Sequence, residues 1–447
     1  MRKNSYAFCG GAFGDEGKGK IVDEYVNILS SSREVIVYRD NGGANAGHTI
    51  ELESGKRLAL HQLPSGVVSK IATVVLGKGM VIHPGDLLGE IEQVKKLVGK
   101  NHGTIMIDEM AVLSLDTHRA FESVLVKWQT GYGATGRGIS PAYADILYRH
   151  PLRASDLVNF DTEKIAKHYQ LYQALISGLD GDIATTLVPT GDGNTIAVGT
   201  QSEFISRLRI ESKEVFKYIH SVDSYLRSRW QDENIPFIFE KAQAIGLDSR
   251  WGVYPDITAS DTTFAGILHS TEGMINPLDI EVRAAVIKAT YMSTVGFRVL
   301  PTMMEESLAV RIREDAHEYG ATTKRPRGLA YIDIPMLRFF ARVGDVNCYV
   351  ITHMDIVYPG VPVKVCVGYT KDGKEVDYRP DQLYLNTVTP IYREFASWSS
   401  DNIRKAKSEV DLPKEAKVYL NFIKESVGQK IIMITTGPAR NEYLKFV

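Results

Sequence analysis

The sequence predicts an α/β fold with a large, mostly parallel central sheet and with helical and small antiparallel excursions. Two observations carry this. Short apolar runs, such as residues 35–38 (Val-Ile-Val-Tyr) and 105–107 (Ile-Met-Ile), alternate with segments of helical apolar spacing. The first such run, residues 6–9, leads into a glycine-dense loop, residues 10–20, and then into Ile21, Val22, Tyr25, Val26 and Leu29 on one helical face. Strand, glycine loop and helix in this order bring backbone N–H groups and a helix N-terminus to a phosphate.

The remaining elements follow in order. Residues 58–63 and 74–76 read as strands, and 84–98 as a helix with Pro84 in its first turn. Residues 129–145 form a polar, glycine-rich loop whose length marks it as functional or disordered. Residues 161–230 read as mostly helical, broken by a surface excursion at 188–200 that contains Pro-Thr-Gly-Asp-Gly-Asn. Residues 235–240 return to strand, 279–292 to helix or helix then strand, 333–343 to an amphipathic helix, and 348–352 to strand. Residues 361–369 and 375–378 pair through the Asp372-Gly373 hairpin signal. A helix at 413–427 and a final strand at 431–435 complete the pattern. One elaborated α/β domain over 1–447, with a mostly helical subdomain at about 100–232 inside it, fits better than separable modules.

Composition narrows the function class. The 447 residues are 44% hydrophobic and 24% charged, and the net charge of −2 gives no reason to expect nucleic acid or an anionic membrane as partner. Cys9, Cys348 and Cys366 lie in apolar runs without metal or disulfide spacing, as buried reduced thiols do. No signal h-region and no apolar run of membrane-spanning length is present, so a cytoplasmic protein is expected.

The glycine loop departs from the Walker A pattern. Ala12 and Gly19 stand where that pattern has Gly and Ser or Thr, so the Mg²⁺-binding hydroxyl is missing. Lys18 or Lys20 can supply a point charge. Asp15, inside the cradle, is repulsive to phosphate unless a metal lies between them or it has a proton to accept. A plain turn is the bland alternative. Loops at strand carboxyl ends converge in a doubly wound sheet, so His48, in Asn45-Ala-Gly-His-Thr49, can stand near Asp15 as proton donor or charge stabiliser, or it is structural. Asp355, in Ile351-Thr-His-Met-Asp355, can accept N1–H and N2–H₂ of guanine as in the [NT]-K-x-D pattern, with His353 in the lysine's place. Thr435-Thr-Gly-Pro438 offers a second wall for that pocket. Residues 318–327 hold three cations among hydroxyls, suited to carboxylate capture or to a solvated basic turn.

These stretches, in order and nearly end to end, resemble the adenylosuccinate synthetase family. The match runs through Gly14-Asp-Glu-Gly-Lys-Gly-Lys-Ile-Val-Asp23, Asn45-Ala-Gly-His-Thr49, Leu63-Pro-Ser-Gly66, Thr135-Gly-Arg-Gly138 with Pro141-Ala-Tyr143, Tyr254-Pro255, Gly320-Ala-Thr-Thr323 with Arg325-Pro-Arg327, and Thr436-Gly-Pro438. The resemblance implies a P-loop-NTPase-like fold and a ligase that joins IMP to L-aspartate with GTP cleavage, through a 6-phosphoryl-IMP intermediate. It implies Asp15 as base toward N1 of IMP and His48 as stabiliser of the departing phosphate. Mg²⁺ would lie against Asp15 and the Gly47 carbonyl. Asn45, Thr135, Arg149, Gln243, Thr258 and Arg325 would hold IMP, with Arg149 supplied across a homodimer. Thr322, Thr323, Arg325 and Arg327 would bind aspartate; Gly14, Glu16, Gly17, Lys18, Gly19, His353, Asp355, Thr435 and Gly437 would bind GTP. A phage relative that acts on dGMP typically lacks the loop aspartate, so Asp15 argues against that substrate.

Six positions depart from the family's pattern: Lys241, Thr294, Lys324, Ala330, Tyr331 and His353. They surround the implied pockets, and Lys241 and Lys324 could answer an additional acidic group. A ligase of the same mechanism with another purine nucleotide, amine donor or NTP is the alternative reading, and a non-catalytic GTP-binding regulator is the alternative of another class.

Overall fold

The computed structural model describes residues 1–52, 55–128, 135–295, 298–320 and 326–446. The strands of its central sheet, numbered along the chain, are β1 (Arg2–Gly10), β2 (Val35–Arg39), β3 (Ala72–Leu76), β4 (Thr104–Asp108), β5 (Ile219–His220), β6 (Phe237–Ala244), β7 (Ile280–Lys288), β8 (Cys348–Thr352), β9 (Lys430–Thr435) and β10 (Tyr443–Lys445). Their spatial order is β5-β4-β3-β2-β6-β1-β7-β8-β9-β10. All neighbours run parallel except β9 and β10.

The sequence alternation explains why this sheet is buried on both faces. In β1, Phe8 enters one core while Ala7 and Cys9 enter the other; in β8, Cys348 and Val350 oppose Tyr349 and Ile351. One core is closed by helix Lys18–Ile28, through Ile21, Val22, Tyr25 and Val26, and by helix Pro84–Val98, through Leu87, Ile91 and Val94. Helices Ile334–Gly344 and Lys414–Val427 close the other, with Leu337, Phe340, Tyr419 and Ile423. Each such side chain contributes roughly 1.5–3 kcal/mol by leaving water.

From β1 the chain lays β2 to β5 outward on one side, then returns to insert β6 between β2 and β1. It continues with β7, β8 and β9 on the other side. The order therefore reverses beside β1, where open α/β sheets form their ligand crevice at the strand carboxyl ends.

Four sequence expectations need adjustment. The loop expected at 129–145 gives way at residue 139 to the helix Ile139–Tyr148, and its residues 129–134 lie outside the described residues. Residues 279–292 hold a strand, with helix confined to the turn Pro277–Asp279. Ile280, Val282, Val286 and Ile287 are β-branched, and β7 is buried between two strands. The strand expected at 58–63 ends at Leu60 and pairs in a hairpin with His48–Glu51. The strand at 431–435 is followed by β10. The Asp372-Gly373 turn takes φ 51° and 74°, the signs a two-residue hairpin demands.

The stretch 100–232 contains helices Asp116–Leu125, Ile139–Tyr148, Ala154–Asn159, Thr162–Ser177, Gln201–Val215 and Asp223–Gln231. A small hairpin, Leu187–Pro189 with Thr195–Ala197, carries the excursion. β4 and β5, also in this stretch, belong to the central sheet. Among the described residues no helix is long and apolar enough to cross a membrane.

Candidate active site

The loop after β1 wraps around a carboxylate. Glu16 Oε1 accepts the amides of Gly14 (2.7 Å) and Ala12 (3.3 Å), and Oε2 lies 3.0 Å from the buried Lys18 ammonium. Glu16 thus holds loop amides of the kind that a phosphate takes, and Lys18 is neutralised by it. Lys20 is committed elsewhere: its Nζ donates to the Gly437 carbonyl at 2.5 Å, tying the start of the helix to the end of β9. Gly14 and Gly17 have φ 103° and 86°, and Asp15 between them has φ 58°. Asp is one of the few side chains that adopt this left-handed region. Its carboxylate is about a third exposed, and Oδ2 lies 2.5 Å from Arg327 Nη2.

His48 opens the hairpin strand His48–Glu51. Its Nδ1 lies 2.6 Å from Glu240 Oε1, and the fully buried Glu240 also accepts the Ser65 amide (2.7 Å) and hydroxyl (2.6 Å). A carboxylate only accepts, so Nδ1 carries the proton and Nε2 is left as a buried nitrogen without a hydrogen-bond partner. Burial pushes His48 down against the pull of Glu240. Burial also pushes the Glu240 carboxyl up, yet His48, Ser65 and Arg39 outweigh it and hold it low. A Cβ at Gly19 would come within 3.1 Å of Ser65 Oγ and 3.2 Å of His48 Cβ. The glycine that breaks the Walker pattern thus leaves His48 and Ser65 a few tenths of an ångström that a Cβ would take.

Around β2 and β6, Asn45 Oδ1 accepts the Gly43 amide at 3.1 Å. Gln243, next to the end of β6, has φ 57°; its Oε1 accepts Ser260 Oγ at 3.5 Å, and its Nε2 is buried without a partner. Thr258 is half-buried and anchored by its amide to the Leu247 carbonyl. Thr135 and Gly47 are exposed. Arg149, at φ 68°, caps the C-terminus of helix Ile139–Tyr148, exposed beside Leu147 and Tyr148.

Lys241 does not stand in the crevice as a cation for substrate. It is fully buried and ion-paired with the equally buried Asp40, and the pair packs on Gly266. Thr294 packs on Gly328, whose Cβ would meet its hydroxyl. Thr322, Thr323, Lys324 and Arg325 lie outside the described residues.

At the end of β8, His353 takes φ 58° and its amide donates to Thr435 Oγ1 at 3.1 Å. Its Nδ1 lies 2.8 Å from the Tyr291 hydroxyl, which donates to Glu318 Oε1 at 2.8 Å. The phenol has one proton, so the imidazole donates from Nδ1–H and Nε2 is the acceptor. Lys288 continues the chain, bonding Glu318 and Ser293, and Ser293 Oγ reaches the Gly14 carbonyl at 3.2 Å. Burial, with the charges of Lys288 and Lys20, pushes His353 down to about 3, so the ring is neutral at ordinary pH. Asp355 is buried, and its Oδ2 accepts Arg404 Nε (3.2 Å) and Nη2 (3.0 Å). Thr352 Oγ1 donates to the Glu16 carbonyl at 2.8 Å and locks this end to the glycine loop.

Asp15 and the Gly47 carbonyl offer hard oxygen donors of the kind Mg²⁺ takes, and Asp15 is open enough to offer one. Among the described residues the one cluster with metal-ligand spacing elsewhere is His118, Asp145 and His168. There His118 Nδ1 accepts the Leu115 amide, so its Nε2 holds the proton it donates to Asp145 at 2.9 Å. With both nitrogens committed, His118 is a brace rather than a ligand.

Glu240, Ser65, Tyr291, Glu318 and Arg404 were not singled out by their sequence positions. Ser65 lies inside a quoted motif and Glu318 opens the stretch 318–327, and that is the signal that could have found them. Arg404 sits in none.

The model of a family described as adenylosuccinate synthetase matches residues 7–444. The chain is 34% identical to the adenylosuccinate synthetase of Acetivibrio thermocellus, covering 97% of both chains. It is 32% identical to that of Thermoplasma volcanium, over 97% of this chain and 95% of the relative. The fully ligated adenylosuccinate synthetase of Plasmodium falciparum superposes with a TM-score of 0.86 at 28% identity, over 99% of this chain and all of that one. A cyanophage succinoaminodeoxyadenylate synthetase, at 16% identity and a TM-score of 0.59 over 100% of this chain and 96% of that one, shares the fold. The chain belongs to the adenylosuccinate synthetase family.

Proposed function

We propose that this chain joins IMP to L-aspartate with GTP as phosphoryl donor, and that Asp15 is its general base. The carrying observation is the Asp15 carboxylate, set in the glycine loop at φ 58° and gripped by Arg327. Asp15 accepts the N1 proton of IMP, which makes O6 nucleophilic toward the γ-phosphate. His48, with Glu240 behind Nδ1, presents Nε2 to the departing phosphate and is stabilised as imidazolium when that nitrogen holds a proton. The aspartate amine then displaces phosphate from C6. Arg327, Arg325, Thr322 and Thr323 bind the amino acid's carboxylates. Asn45, Thr135, Gln243 and Thr258 bind IMP. Gly14, Glu16, Gly17, Lys18 and Gly19 serve the GTP phosphates, and His353, Asp355, Thr435 and Gly437 its base. Asp15 and Gly47 would hold Mg²⁺, which when bound neutralises charge on the phosphates.

A homodimer completes the site, with Arg149 reaching IMP in the other subunit. Exposed Leu147 and Tyr148 beside it give that contact apolar area. The lysine that could have argued for an acidic variant substrate, Lys241, is satisfied by Asp40. The test is phosphate release over a grid of purine monophosphates, amino acids and NTPs. Release that requires IMP, aspartate and GTP together is expected. Release with another combination, and none with this one, overturns the reading.

A further inference from the structure

The pocket at the end of β8 has its charges rearranged. A lysine two residues before the reading aspartate would lay a cation over the base; here that position holds a neutral imidazole, pinned by Tyr291 through Nδ1. The cation comes instead from Arg404, in the short helix Ser400–Lys405, and it grips the aspartate itself. Both of its bonds fall on one oxygen: Nε and Nη2 reach Asp355 Oδ2 at 3.2 and 3.0 Å. A carboxylate oxygen offers about two lone-pair sites. Oδ2 is therefore filled, and Oδ1 is the oxygen that Arg404 leaves open.

Reading guanine takes both oxygens, one for N1–H and one for the 2-amino group. Hypoxanthine presents N1–H alone. Adenine presents a bare N1 lone pair to the carboxylate, which is repulsive. We propose that Arg404 is a specificity-determining residue, which limits Asp355 to one base donor so that the pocket selects 6-oxopurine nucleoside triphosphates by N1–H and draws little from the 2-amino group. This rests on the assignment of Asp355 to the base of the nucleotide. Arg404 is half exposed, so removing it leaves no buried cavity.

The test compares kcat/KM for GTP, ITP and ATP in the wild type, in Arg404→Met and in Asp355→Asn. In the wild type, GTP and ITP should differ by less than about threefold, below the worth of one hydrogen bond to a charged group. Arg404→Met frees Oδ2, and the GTP-to-ITP ratio should rise roughly tenfold, the worth of that hydrogen bond. A merely structural Arg404 would lower both nucleotides together. An unchanged ratio in Arg404→Met, or a wild type that already prefers GTP tenfold, overturns the inference. Asp355→Asn separates the two failures. If it leaves the GTP-to-ATP preference intact, the base assignment itself falls; if it abolishes that preference while Arg404→Met changes nothing, only the role of Arg404 falls.

Discussion

Arg327 Nη2 stands 2.5 Å from Asp15 Oδ2. A cation of the loop assigned to the amino acid thus grips the carboxylate assigned to the proton. Asp15→Asn keeps the size and tolerates φ 58°, whereas alanine would add backbone strain. Turnover should fall by roughly 10²–10⁴-fold, the usual worth of a general base, with an unchanged circular dichroism spectrum. Near-normal phosphate release in this variant would remove Asp15 from the mechanism.

Glu240 is the support of His48, with Ser65 on its other side. Glu240→Gln still accepts a hydrogen bond but no longer stabilises the imidazolium. We expect kcat to drop roughly 10- to 100-fold, as for other loss of a partner behind a working histidine, with KM for IMP little changed. Steady-state kinetics decide it; an equal rise in KM would point to a binding role instead.

Arg149 gives a prediction that needs two lesions. Arg149→Leu and Asp15→Asn, each nearly inactive, should regain activity when subunits are exchanged. Each mixed dimer has one site free of both changes, so equal mixing returns about a quarter of wild-type activity. Mixed dimers verified by mass and still inactive would place Arg149 in its own subunit's site.

The Asp40–Lys241 pair is fully buried. Lys241→Met strands the Asp40 carboxylate and should cost about 3–5 kcal/mol, whereas Asp40→Leu with Lys241→Met should cost much less. Urea midpoints test this. KM values for all three substrates should be normal in the double variant, and a selective change in one would return Lys241 to the substrate site.

Asp333 caps helix Ile334–Gly344 by accepting the Met336 amide, and it also accepts the Tyr369 hydroxyl. Burial pushes its carboxyl up to about 7, from 3.8. The folded state therefore holds the proton more tightly than the unfolded one. The stabilisation from this group is complete below about pH 4 and disappears as pH rises toward 7, a change on the order of a few kcal/mol. Asp333→Asn retains the cap and should flatten the pH dependence of the urea midpoint across that window. An equally steep dependence in the variant would assign it to other groups.

Much of the frame could be read from local pattern. Residues 6–9, the glycine loop and the apolar face of Ile21 to Val26 foretold β1 and the helix after it, because each signal lies within a few residues. Residues 279–292 misled, since Ala284, Ala285 and Ala289 suit a helix, and only burial between β1 and β8 settles the strand. Pairings across the chain were illegible for a different reason. His48 meets Glu240 and Asp40 meets Lys241 over about two hundred residues of separation, and no periodicity encodes such a meeting. Nor does composition reveal backbone sign: Asp15, Gln243 and His353 all adopt positive φ, a strain that gathers at working sites.

The place of β1 bears on how the molecule comes together. It is the first strand along the chain, yet its two sheet partners are residues 237–244 and 280–288. During synthesis the strand that bears the glycine loop must wait, unpaired, until both have been made. The β2–β3–β4 layer can assemble early from nearby segments, but closing the sheet is a long-range event and intrinsically slow. Until it happens, Tyr6, Phe8 and the bare edges of their strand lie open to other chains. The crevice at the heart of the enzyme is therefore among the last parts of the fold to exist.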